Sequence, residues 1–235
     1  MNNICKLLFL FFIINLDISC DSYKNNEIKP VKIIVLGSST AAGVGPTNLS
    51  KAWVNQYRAY IRNQNKDNEV INLAVSGYTT YHIMPTYYIP ALGCPTPDSL
   101  HNITKALSYN PDAIIVNMPT NDIAKGYSLT SIMANYRKIL SEASKKNVPV
   151  WITTPQPRNF NENLRLILIQ VKDSTTENFQ GYSIDFWTGL ANQNGTINSS
   201  FNCGDDVHLN DAGHDILNER VVKCNIISII HNKSY

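Results

Sequence analysis

Short β-branched runs alternate with stretches of helical spacing along most of this chain, and Gly, Asn or Pro punctuates the joins. Residues 32–36, 70–75, 113–116, 148–152 and 182–184 read as strands. Between them, Trp53, Val54, Tyr57 and Ile61 recur at helical spacing, and residues 100–107, 132–143 and 164–171 read as helices. Asn110 and Pro111 close the helix at 100–107, while Pro155 and Pro157 close the fourth strand. Asp211 is the expected N-cap of a last helix that places Ala212, Ile216, Val221 and Cys224 on one face. Strands separated by helices pair in parallel and need helices over both faces of the sheet. The crossovers are expected to be right-handed. No repeat, low-complexity tract or second domain interrupts the pattern.

In an open parallel sheet, ligands bind beyond the carboxyl ends of the strands. Ser39 follows the first strand, Gly77 the second, Asn121 the third, and Gln156 and Arg158 the fourth. Far downstream, Asp205 and His208 share one short turn. A carboxylate so placed holds one imidazole nitrogen and leaves the other free to take a proton. A serine hydroxyl needs such a base to attack an ester. Charge then builds on the carbonyl oxygen, and donors must already be aimed at it. Three are expected: the backbone N–H of Ser39, the N–H of Gly77, which no Cβ shields, and the side-chain amide of Asn121. Each residue alone also has a plain structural reading, as a loop serine, a structural histidine, a turn cap or a strand-end glycine. Their order along successive strand exits favours the catalytic one.

At 235 residues the chain is long enough for one domain with a sizeable core, and a net charge of +2 gives little reason to expect a nucleic-acid partner. Lys6 precedes an apolar run at residues 7–14, too short to span a bilayer and expected to be a secretory signal peptide over residues 1–20. Cys20 stands where a bacterial lipoprotein is cut and lipidated, although Asp17 makes the match a loose one. The expected location is therefore extracytoplasmic, either secreted or membrane-anchored through Cys20. Residues 21–30 read as a polar linker and 31–235 as the catalytic domain. Cys94, Cys203 and Cys224 remain, an odd number that cannot pair completely within one chain. Cys203 and Cys224 flank the Asp-His turn and its helix, which leaves open either a disulfide there or free thiols. No Cys/His cluster of metal-binding spacing stands out. Asn-x-Ser/Thr sequons, Asn102 and Asn198 among them, are expected by chance in so Asn-rich a chain.

Four ordered blocks carry a resemblance. Gly37, Ser38 and Ser39 with Gly43 are similar to a Gly-Asp-Ser block with its downstream glycine. Gly77 ends the run from Asn72 that is similar to a second block. Pro119, Thr120, Asn121 and Asp122 are similar to Gly-x-Asn-Asp, and Asp205 to His208 is similar to Asp-x-x-His. From residue 31 to about residue 222 the chain resembles the SGNH (GDSL-type) hydrolases. The resemblance implies a flavodoxin-like three-layer α/β/α sandwich with a five-stranded parallel sheet. It implies Ser39 as nucleophile, His208 as base, Asp205 as its orienter, and Ser39, Gly77 and Asn121 as the oxyanion hole. Two positions depart from the pattern. Ser38 replaces an Asp outside the triad and becomes a rival nucleophile, and Pro119 replaces a Gly and removes a backbone donor.

The pocket walls are expected from Tyr78, Thr79 and Thr80, and from Tyr81, Tyr87 and Tyr88 in a segment rich in Pro. Tyr78, Gln156 and Arg158 are the candidate substrate contacts, with Arg158 suited to a carboxylate or phosphate. The expected function is that of an exported serine esterase, cleaving acyl or acetyl esters on carbohydrate or cell-envelope substrates through an acyl-serine intermediate. That chemistry calls for no metal or organic cofactor. A lysophospholipase or thioesterase of the same fold, a catalytically weak glycan-binding relative, and acyl transfer to a sugar hydroxyl are the alternatives.

Overall fold

The computed structural model describes residues 29–232; the expected signal peptide and Cys20 lie outside them, as does most of the linker. Five strands form one parallel sheet: β1 (Lys32–Gly37), β2 (Glu69–Asn72), β3 (Ala113–Asn117), β4 (Val150–Thr153) and β5 (Ser183–Ile184). Their spatial order is β2-β1-β3-β4-β5, the doubly wound order of flavodoxin-like folds. The central register sets Ile33 against Val70 on one side and against Ala113 on the other.

Side chains alternate across a strand, and both faces here are apolar. Ile33 and Val35 of β1, Ile115 of β3 and Trp151 of β4 enter one core. Helices α2 (Trp53–Gln64), α7 (Asp211–Lys223) and α8 (Ile226–Asn232) cover it. Ile34, Leu36, Ile114, Val116 and Ile152 enter the other core, beneath α3 (Ile103–Ser108), α5 (Leu129–Ser144) and α6 (Glu162–Asn178). The helices take the predicted stripes: Trp53, Val54, Tyr57 and Ile61 are the buried residues of α2. Asn or Ser side chains cap several of them, each accepting an orphan backbone N–H of the first turn. Asn102 caps α3, Ser128 caps α5 and Asn161 caps α6. Asn102 is fully buried in that role, so its sequon is a helix cap.

The last helix corrects two expectations. Its N-cap is Asn210, whose side chain accepts from Gly213 N–H, and Asp211 sits in the first turn, bonded through its carboxylate to Thr47. Its buried face is Gly213, His214, Leu217 and Val221, while Ala212 is exposed. The phase differs because a buried polar residue, His214, lies on the stripe. Its Nδ1 accepts the backbone N–H of Trp53 at 3.1 Å and so ties α7 to α2.

Candidate active site

The expected nucleophile sits where β1 turns into a single helical turn, α1 (Ser39–Ala42). Ser39 is its first residue, so the Ser39 N–H has no acceptor in the helix ladder. Two side chains from other strand exits hold this turn. The Asn72 amide donates to Ala41 O at 2.7 Å, and the Gln156 amide donates to Thr40 Oγ1 at 2.8 Å. Gln156 is only 3% exposed. Its expected place at the substrate rim is thereby corrected: it lies buried against the turn that carries Ser39, with one amide hydrogen engaged by Thr40. Ser38 is buried and makes no bond to His208.

His208 lies on the turn before α7, 169 positions from Ser39. Its Nε2 is 2.7 Å from Ser39 Oγ, and its Nδ1 is 2.5 Å from Asp205 Oδ2. Asp205 Oδ1 accepts the backbone N–H groups of Val207 and His208 at 2.9 and 2.8 Å. Burial opposes ionisation of Asp205, but the His208 ring and these two N–H groups outweigh it and hold the carboxyl well below its ordinary range. Asp206 turns the other way, with φ 63, and accepts from the amides of Asn159 and Asn202. Asp205 is therefore the acid that faces the imidazole. Gly45 backs this turn: a Cβ there would lie 2.2 Å from Leu209 O and 3.0 Å from His208 Cβ.

Gly77 occupies a β-turn closed by Tyr78 N–H to Val75 O at 3.2 Å. Its φ of 83 suits the third position of a type II turn, which glycine tolerates without strain. Asn121 lies in the first turn of α4 (Thr120–Ala124). One amide hydrogen goes to Tyr78 O at 3.0 Å, which leaves the second available as a donor. Beneath both lies the last residue of the third block, to which the sequence assigns no role. The Asp122 carboxylate is fully buried and accepts Thr80 N–H at 3.0 Å and Thr80 Oγ1–H at 2.5 Å. Asn135 of α5 donates to the same hydroxyl at 2.7 Å. Burial pushes the Asp122 carboxyl up to about 7, against the pull of the Thr80 donors. This network joins the segment after Gly77 to the helix that carries Asn121.

The remaining expected contacts divide. The Tyr78 hydroxyl donates to Asp98, and its ring stacks on His82 with centroids 4.3 Å apart. Asp98 also faces His101 Nδ1 at 2.8 Å. Burial and the bond to Asp98 push Tyr78 up to about 12, while the same bond holds Asp98 down at about 2. The Tyr78 hydroxyl is thus committed to the wall. Arg158 is half-buried, reaches Asn121 Oδ1 at 3.4 Å, and lies over the Phe160 ring at 4.5 Å. A cleft of ≈ 540 Å³ opens beside Gly77, lined also by Thr79, His82, Cys94, Lys125 and Tyr127. A cleft of ≈ 520 Å³ at the entry end of β4, near Arg137 and Tyr182, lies away from these residues.

Cys94, Cys203 and Cys224 are free thiols, and Cys203 and Cys224 form no disulfide. Among the described residues, one group offers ligand atoms close together: those of Cys203, Asp205 and His208 lie within 4.8 Å of one another. Two of the three already face each other across the 2.5 Å contact described above.

The model of the GDSL-like Lipase/Acylhydrolase family matches residues 35–216. The chain belongs to that family. Its sheet and flanking helices are those of the SGNH hydrolase fold. A putative lipolytic protein of the G-D-S-L family from Desulfitobacterium hafniense is similar with a TM-score of 0.63 and 15% identity, over 83% of this chain and 99% of that one. A psychrotrophic esterase from Pseudoalteromonas sp., inhibited by monoethylphosphonate, has a TM-score of 0.61 and 16% identity, over 83% and 96%. A two-domain esterase active on acetylated mannans has a TM-score of 0.58 and 14% identity, over 86% of this chain and 49% of its own. No curated protein matches the chain. Membership makes this protein a family esterase or acylhydrolase.

Proposed function

We propose that the protein is a serine esterase that cleaves short acyl esters on carbohydrate or cell-envelope molecules after export. The observation that carries this reading is the 2.7 Å approach of His208 Nε2 to Ser39 Oγ, with Asp205 behind the ring at 2.5 Å. As Ser39 Oγ bonds to the ester carbon, its proton passes to His208 Nε2. The ionised Asp205 stabilises the imidazolium and fixes Nδ1 as the protonated nitrogen. The carbonyl oxygen becomes an oxyanion that the N–H groups of Ser39 and Gly77 and the free amide hydrogen of Asn121 receive. His208 then gives its proton to the departing alcohol oxygen, leaving an acyl-serine. Water repeats the sequence and restores Ser39 with release of the acid. A sugar hydroxyl in place of that water would make the same residues an acyltransferase.

Two observations support the substrate class. A fold neighbour is active on acetylated mannans, and the N-terminal segment carries the composition of an export signal. Lipidation at Cys20 would keep the enzyme at the membrane surface. A second reading, a lipid or thioester hydrolase, draws on Ile89 and Leu92, which are 90% and 105% exposed in the segment that borders the cleft.

The test is hydrolysis of 4-nitrophenyl acetate by the protein and by its Ser39→Ala version. A loss of about 10⁴-fold or more in kcat is expected. Equal background rates in both would favour a glycan-binding role instead. Acyl chains of increasing length separate the two esterase readings, since the lipid reading requires kcat/KM to rise with length.

A further inference from the structure

One cation at the site makes no salt bridge, and the charge of Asp205 reaches it only from beyond contact distance. Arg158 is half-buried, yet among the described residues no carboxylate comes within salt-bridge distance of it. Its single side-chain hydrogen bond to protein is the long one to Asn121 Oδ1 at 3.4 Å, which occupies one of five donors. Its position is nevertheless enforced. The guanidinium lies over the Phe160 ring, and the next residue, Asn159, is clamped to the catalytic turn. Asn159 N–H donates to Asp206 O at 2.9 Å, and its amide donates to Asp206 Oδ1 at 2.7 Å. Arg158 is thereby held between the oxyanion-hole amide and the Asp-His turn.

The acids nearby are all committed elsewhere. Asp205 serves His208, Asp122 is sealed beneath Thr80, and Asp98 serves Tyr78 and His101. Across the site, Lys125 lines the cleft beside Gly77 and is exposed. A second positive charge thus borders the cleft beside Gly77. A partly desolvated guanidinium without a salt-bridge partner is costly, and an anionic ligand that completes its fork recovers that cost.

We propose that the substrate is an ester carrying an anionic oxygen group close to the scissile bond, and that Arg158 receives that group. The inference rests on the esterase reading above and narrows it to acidic esters. A carboxylate fits the planar fork in two parallel bonds, and a phosphate offers the same pair of oxygens. Lys125 adds a second charge without a fixed geometry.

Matched esters test this. 4-Acetoxybenzoate and its methyl ester share the scissile acetyl group and differ in the charge of the para substituent, with intrinsic reactivity set by their rates in Ser39→Ala, and 4-acetoxyphenyl phosphate supplies the phosphate arm. On the acyl side, 4-nitrophenyl hydrogen glutarate is compared with its methyl ester. The protein should favour a charged member by about tenfold or more in kcat/KM, the worth of one charge-assisted pair. Arg158→Gln should erase that ratio, whatever it does to the neutral ester alone, and Arg158→Lys should keep part of it. The ratio between the carboxylate and phosphate arms identifies the anion. No preference for any charged member, or a preference that survives in Arg158→Gln, overturns the proposal. The Ser39→Ala protein gives the same comparison by calorimetric binding. Absent hydrolysis would thus sink the esterase reading alone, while equal binding of charged and neutral members would sink this one.

Discussion

On one side of the reacting position stand Asp205 and His208, carried by a turn at the surface, with 46% of the Asp205 side chain exposed. On the other stand Gly77 and Asn121, resting on Asp122, which has no exposed surface at all. In the proposed reaction the first side moves a proton, and the His208 ring and two backbone N–H groups keep Asp205 ionised against the cost of its burial. The second side must hold donors still while charge appears on a carbonyl oxygen, and a buried network supplies that stiffness. Each side also has a titratable group beneath it. Asp122 lies under the donors, and His214 lies under the base turn, tying α7 to α2. Burial, opposed by nearby carbonyl and carboxylate groups, lowers His214 to about 4, so it stays neutral there.

The contrast can be broken by substitutions on either side. Asp205→Asn should cost the most, about 10³–10⁴-fold in kcat, because the ring loses its orienting anion. Steady-state rates on a small ester read it, and a loss under tenfold would mean that the turn, rather than the carboxylate, positions His208. Asn121→Ala should lower kcat by about 10²–10³-fold and leave KM nearly unchanged, as removal of a transition-state donor does. Equal losses in binding and turnover would place the amide outside the hole. Asp122→Ala should act chiefly on folding. It leaves Thr80 donors buried without an acceptor and opens a void, together about 3–4 kcal/mol in urea unfolding. If Asp122→Ala were as stable as the wild type, the donor side would owe its rigidity to something else.

The smallest effect is a pH dependence. In the unfolded chain a histidine takes its proton near pH 6.5, whereas folded His214 resists protonation down to about 4. His214 therefore binds its proton more strongly in the unfolded state within that window. Its contribution to stability should fall as pH drops from 6.5 towards 4, by at most about 3 kcal/mol, while Asp122, raised to about 7, pulls the other way over the same range. His214→Asn should remove the His214 contribution, so that stability falls less, or rises, as pH drops, and an unchanged slope would remove His214 from the account.

What the sequence made legible follows the same divide. The strands and their exits were readable because apolar β-branched runs were bounded by Gly, Asn and Pro, and proton-transfer residues are of few types. Ser39, Asp205 and His208 were therefore nameable, and the fold brings Ser39 and His208 together across 169 positions. The support beneath them was not legible. Asp122 beside Asn121 looks like any turn acid, and only tertiary burial sets it against Thr80 and Asn135. Gln156 follows a strand like a ligand contact but turns inward to Thr40, a choice of rotamer that no spacing encodes. Asp211 had the composition of an N-cap, yet the neighbouring Asn210 took that place while Asp211 bonded Thr47. His214 shifted the phase of α7 because an apolar stripe does not count a buried histidine.

The whole account depends on Ser39 being the activated oxygen. Reaction with a fluorophosphonate, followed by peptide mass spectrometry, tests this at a single atom. The account predicts one adduct per chain, on Ser39, formed at least about 10²-fold more slowly after His208→Ala. An adduct on Ser38, or labelling of Ser39 that ignores the loss of His208, would contradict it.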